Sequence, residues 1–356
     1  MSIIRIAIAA VLLFAAGAAC AEVRIVPQDS GVKVRLRGIS AVSDDIAWAS
    51  GREGTVLRTV DGGKHWQTIK VPDAGELDFR DVEGFDADTA VVLSIGPGEA
   101  SRVYRTEDGG KSWKLALQNK DPRAFFDCMA FDGDKGWMMG DPVEGRFQIY
   151  ATTDAGRSWE LSSDGPKATK DEAAFAASGT CISRIGDSLL VATGGAEANI
   201  HLRSDDASVW RKLPSGLPAG KQSAGVFSVS AMPMRLGFVV VGGDFEAEAV
   251  ASESRRFLVP TEPPASELSQ LNVSTPGKTQ GYRSGVACAE TQPTCIAVGP
   301  SGVDVWKGTS WETVSKIGYD AIDFVGDAGW ASGNEGRLAR VEALTPIDRV
   351  SGEARP

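Results

Sequence analysis

One eight-residue string occurs three times at nearly constant spacing: TVDGGKHW at 59–66, TEDGGKSW at 106–113 and TTDAGRSW at 152–159. Its tryptophans, Trp66, Trp113 and Trp159, lie 47 and 46 residues apart, about the length of one four-stranded propeller blade. A unit of that size cannot bury its sheet alone, so the period predicts stacked neighbours and an all-β ring.

Each copy separates two β-rich runs and therefore reads as a hairpin turn. Thr59, Thr106 and Thr152, with Asp61, Asp108 and Asp154, have the oxygens to bond the backbone of that turn. Gly63, Gly110 and Gly156 supply positive φ, and the Trp that follows opens the next strand. The string is similar to the Asp-box, or BNR repeat, whose aspartates are structural rather than catalytic.

A second signature, a short apolar strand beside glycine, recurs seven times, at 46–51, 90–94, 136–140, 189–194, 237–242, 295–299 and 329–333. The sequence thus predicts a seven-bladed β-propeller as a single domain, residues 22–343. The last blade lacks an outer strand; the N-terminal run at 32–36 precedes the first blade and is expected to close the ring and hide its edges. Residues 344–356, with Pro346, Gly352 and Pro356, read as a flexible tail.

Residues 1–21 have one charge, Arg5, an apolar stretch and a small-residue end at Ala19-Cys20-Ala21, the layout of a cleaved secretory signal. The mature chain is therefore expected in the periplasm or outside the cell, with no transmembrane span. Lipoprotein anchoring at Cys20 is the alternative. Four cysteines then remain in an oxidising compartment. Cys288 and Cys295 flank one hairpin and are expected to pair; for Cys128 and Cys181, a bridge and two buried free thiols both stay open.

The net charge of −10 argues against nucleic acid as a partner. His65 and His201 are the only histidines, which excludes a multi-histidine metal site, and neither C-x-x-C nor G-x-G-x-x-G occurs. No cofactor and no metal are expected.

Aligning the blades on their inner strands sets Arg37, Arg80, Asp127, Ser178, Ser223, Arg283 and Asp320 around one mouth of the central channel. Asp141 and Asp244 join them from second-to-third loops, and Glu172 from the long segment 163–179. Three arginines among carboxylates form a funnel suited to a protein segment or a polar or anionic ligand. A set of structural ion pairs and turn caps is the alternative reading of the same residues.

Further strings carry a family resemblance: FFD at 125–127, GDPVEGR at 140–146, AAFAASGT at 173–180, SAGVFS at 223–228, GGD at 242–244, GYRS at 281–284 and VGPSG at 298–302. With the repeat, they resemble exported bacterial propellers related to the photosystem II stability/assembly factor. The resemblance implies a scaffold that docks a partner on its loop-rich face and implies no settled reaction. Two alternatives accompany it. A glycoside hydrolase of sialidase or xyloglucanase type would use Arg37, Arg80 and Arg283 with Tyr282 or Tyr319 and Glu172, or a carboxylate pair of Asp127 with Asp141 or Asp244. An oxidoreductase rests only on a label that family members carry.

Overall fold

The computed structural model describes residues 22–344 apart from 234–236, 259–270, 275–276 and 293. The expected leader at 1–21 and, apart from Leu344, the expected tail at 344–356 lie outside the described residues. Seven antiparallel sheets stand around a central channel, as the period predicts. Their inner strands are Leu36–Ala41, Asp78–Gly84, Phe126–Asp132, Ile182–Ile185, Lys221–Ala231, Gly285–Cys288 and Ala321–Val325, in order from blade 1 to blade 7.

Both faces of each blade pack on a neighbour, which explains why the second strands read as unbroken apolar runs. In the strand Ala90–Ile95, Ala90 and Val92 join a cluster with Trp48, Val56 and Ile69 of blade 1, while Val91 and Leu93 join Phe126, Met129 and Met138 of blade 3. An apolar cluster of this kind fills each of the seven junctions.

The three repeated turns, read from sequence as boxes, stitch these junctions. In the first, Thr59 Oγ1 donates to Asp61 Oδ1 at 3.0 Å and accepts from the Gly63 N–H at 2.9 Å. The His65 N–H donates to Asp61 Oδ1 at 2.9 Å, and with the His65 ring holds the Asp61 pKa down at about 2. The boxes at Thr106 and Thr152 repeat this network. Each Trp reaches the preceding blade: Trp113 packs on the cluster between blades 1 and 2, and Trp159 on that between blades 2 and 3. Gly110 has φ +81°, and a Cβ there would lie 2.5 Å from Ile69 of blade 1, so the box requires glycine twice over.

An N-terminal strand does close the ring, but it is Glu22–Gln28, not the run at 32–36. It pairs antiparallel with Leu338–Leu344, from Glu22 opposite Leu344 to Gln28 opposite Leu338. An outermost strand needs only one buried face, and Val23 and Ile25 supply it against the cluster between blades 6 and 7. Pro27 is tolerated because the outer edge has no partner to receive its missing N–H. Gln28 then locks the seam: it accepts from Trp66 Nε1 and donates to the Gly62 carbonyl, both at 3.0 Å.

Two disulfides are present. Cys128–Cys181 joins the inner strand of blade 3 to the segment entering that of blade 4, and Cys288–Cys295 links two adjacent strands of blade 6.

Candidate functional site

The inner strands are bulged where they approach the channel mouth. The pairing register slips between Leu36 and Gly38, Phe79 and Asp81, Phe126 and Cys128, and Val226 and Ser228. Each slip leaves one extra residue, Arg37, Arg80, Asp127 and Phe227 respectively, and a bulge re-aims the side chain it carries. A fifth slip, between Gly140 and Pro142, does the same for Asp141. All five line one cavity of about 470 Å³ at the mouth, together with Arg35, Asp320 and an aromatic wall of Phe175, Phe245 and Tyr282.

Most charges of this funnel are spoken for. Arg35 forks onto Asp320, with Nε 2.9 Å and Nη2 2.6 Å from its two oxygens. Arg80 donates to Asp78 at 2.8 Å and to the Ala176 carbonyl at 2.7 Å, and Asp141 accepts from the Ala174 N–H at 3.0 Å. Those last two contacts pin the segment carrying Phe175, whose ring stacks on Phe227 with centroids 3.9 Å apart. Phe245 and Tyr282 meet Phe227 edge-on, at 6.1 and 4.7 Å.

Arg37 and Asp127 are different. Arg37 is 8 % exposed, its Nε has no hydrogen-bond partner, and its nearest carboxylate oxygen, on Asp320, is 4.0 Å away. Burial, reinforced by the charge of Arg80, lowers its pKa to about 10. Asp127 is 1 % exposed and its Oδ2 is likewise unpartnered. Burial and the neighbouring Asp141 carboxyl push the Asp127 pKa well above the usual carboxylate range.

Several residues expected at this mouth lie elsewhere. Arg283 is fully buried against Asp304, with Nε at 2.9 Å and Nη2 at 2.8 Å from one oxygen, and does not line the cavity; Arg35 stands in the funnel instead. Ser223 is buried away from the cavity, and Phe227, four residues on, takes its blade's place at the bulge. Ser178 bonds the Ser284 carbonyl at 2.7 Å and faces the far half of the channel. Asp244 pairs with Lys221 at 2.9 Å outside the funnel. Glu172 is neither a funnel carboxylate nor a solvated loop charge: it is buried in a network with Thr193, Asn199 and His201, at 2.6, 3.0 and 2.9 Å. Burial alone would raise its pKa, but these bonds outweigh it and hold the group at about 2. Tyr282 is on the funnel wall and Tyr319 in the cluster between blades 6 and 7, while Glu172 is in this separate network, so neither tyrosine is brought to Glu172 as a sialidase pair would need.

The downstream halves of the inner strands line a second cavity of about 220 Å³, which holds Asp81, Glu83 and Asp323. Burial raises all three carboxyls, Asp81 to about 7 and Asp323 to about 6. Among the described residues, no group of three or more His, Cys, Asp or Glu side chains is placed to hold a metal ion, and no helix is long and apolar enough to cross a membrane.

No family model and no curated protein matches this chain. Solved structures do. One described as "YCF48 bound to D1 peptide" superposes with a TM-score of 0.61 at 14 % identity, covering 91 % of this chain and 97 % of that one. "YCF48 from Cyanidioschyzon merolae" gives 0.60 at 17 % identity, covering 89 % and 98 %. At such identities the likeness establishes a shared fold over nearly the whole of each chain.

Proposed function

We propose that this chain is an exported, non-enzymatic binding scaffold of the Asp-box propeller class, whose funnel docks a segment of a partner protein. The observation that carries the reading is Arg37: a guanidinium buried in a cavity wall, depressed in pKa and with no hydrogen bond to its nearest carboxylate, is suited to an anionic group of a ligand. The surrounding wall is already built, with rings stacked and loops pinned, so little ordering remains to oppose binding. A propeller of the same fold is described as bound to a peptide, which supports a protein segment as the occupant here. Export rests on the leader at residues 1–21.

The test is selection of peptides from a displayed library on residues 22–356, followed by titration of the selected peptides into wild type and Arg37→Met. A charge-assisted bond to a buried guanidinium is worth about 1.5–3 kcal/mol, so the variant is expected to bind roughly tenfold or more weakly. Equal affinity for both proteins would remove the funnel from the reading.

A further inference from the structure

The cavity at the channel mouth has charges of both signs, and its internal pairing leaves one of each. Of the cations, Arg35 is committed to Asp320 and Arg80 to Asp78 and Ala176, while Arg52 lies 3.6 Å from Asp78. Among the described cations of the funnel, Arg37 is the one that is buried without a side-chain hydrogen bond. Of the acids, Asp320 is taken by Arg35 and Asp141 by the Ala174 N–H, and Glu248 is exposed at the rim. Among the described acids of the funnel, Asp127 keeps a buried carboxylate oxygen, Oδ2, without a partner. No ion pair joins these two to each other, although both are more than nine-tenths buried and line the same cavity.

We infer that the funnel is built for a dipolar occupant, a peptide segment that sets a carboxylate on Arg37 and an ammonium or guanidinium on Asp127 and its neighbour Asp141. The inference rests on the funnel being the docking site. A ligand with only an anion would satisfy Arg37 and leave Asp127 Oδ2 buried without a partner, a cost that a second, cationic group removes. In an extended segment, residues i and i+2 point to one side about 7 Å apart, so one acidic and one basic residue flanking a third present both charges to one wall. A central apolar residue then projects the other way, and the ring wall of Phe175, Phe227 and Phe245 suits it. The raised pKa of Asp127 agrees with this geometry: burial and Asp141 outweigh the more distant charge of Arg80, and a cation seated on the carboxyl would favour release of its proton.

Four capped tripeptides with phenylalanine at the centre test this by calorimetric titration. One has glutamate and lysine at its ends, one replaces the lysine by norleucine, one replaces the glutamate by glutamine, and one carries both replacements. With wild type, the glutamate–lysine peptide is expected to bind at least tenfold more tightly than the glutamate-only peptide. Asp127→Asn is expected to abolish that difference. Asp141→Asn, which keeps an acceptor for Ala174, serves if thermal melting shows the Asp127 variant unfolded; it is expected to reduce the difference severalfold. Equal affinity of the two glutamate peptides for wild type overturns the dipolar inference and leaves segment docking standing. Failure of all four to bind at millimolar concentration overturns both.

Discussion

Replacing Arg283 by Met removes the cation from a pair in which Arg283 and Asp304 are both fully buried, and is expected to cost about 3–5 kcal/mol in denaturant unfolding. Its affinity for funnel peptides, measured below the melting point, is expected to stay within twofold of wild type, because Arg283 does not reach the cavity. A loss as large as that of Arg37→Met would return Arg283 to the site. The contrast between these arginines marks where residue-level reading stops. Arg37, Arg80 and Asp127 were legible because they occupy one repeated position in blades that keep the repeat. In blade 5 the bulge falls at Phe227 rather than at Ser223, and a shift in register moves a side chain to another face with no change in hydropathy to announce it. Arg35 was missed because the run at 32–36 reads as the closing strand, whereas it is the connection that leads into blade 1 at Leu36.

Among the elements, the blade count followed from strand signatures, whereas the closing strand at Glu22–Gln28 was missed because its alternating pattern sits beside a leader and looks like part of the processing region. The two disulfides act over different lengths. Cys128–Cys181 closes 53 residues and ties two blades, while Cys288–Cys295 closes 7 residues within one sheet. On a loop-entropy account the first is worth about 4 kcal/mol and the second about 2 kcal/mol. The double variant Cys128→Ala/Cys181→Ala is therefore expected to lower the midpoint of chemical unfolding about twice as far as Cys288→Ala/Cys295→Ala. The reverse order would mean that the junction of blades 3 and 4 is held by its apolar packing alone.

The whole molecule should respond to pH through its channel. Asp81 and Asp323 have folded pKa values of about 7 and 6, above the usual value of about 4, so the folded state binds their protons more tightly. Their contribution is complete below pH 4 and is lost as pH rises through 6 and 7. Stability is thus expected to fall by on the order of 4 kcal/mol between pH 5 and 8. Asp323→Asn is expected to flatten the slope; an unchanged slope in urea titrations across this range would locate the titrating groups elsewhere.

The pairing of Glu22 with Leu344 brings the first described residue to the last. Every intermediate with a shorter chain has a gap on one side and an unsatisfied strand on the other, and long-range pairing of this kind is slow and leaves sticky borders in the meantime. The opening stretch of the polypeptide must therefore wait, unattached, until more than three hundred later residues have arrived. That delay makes sealing of the ring the last step of its folding.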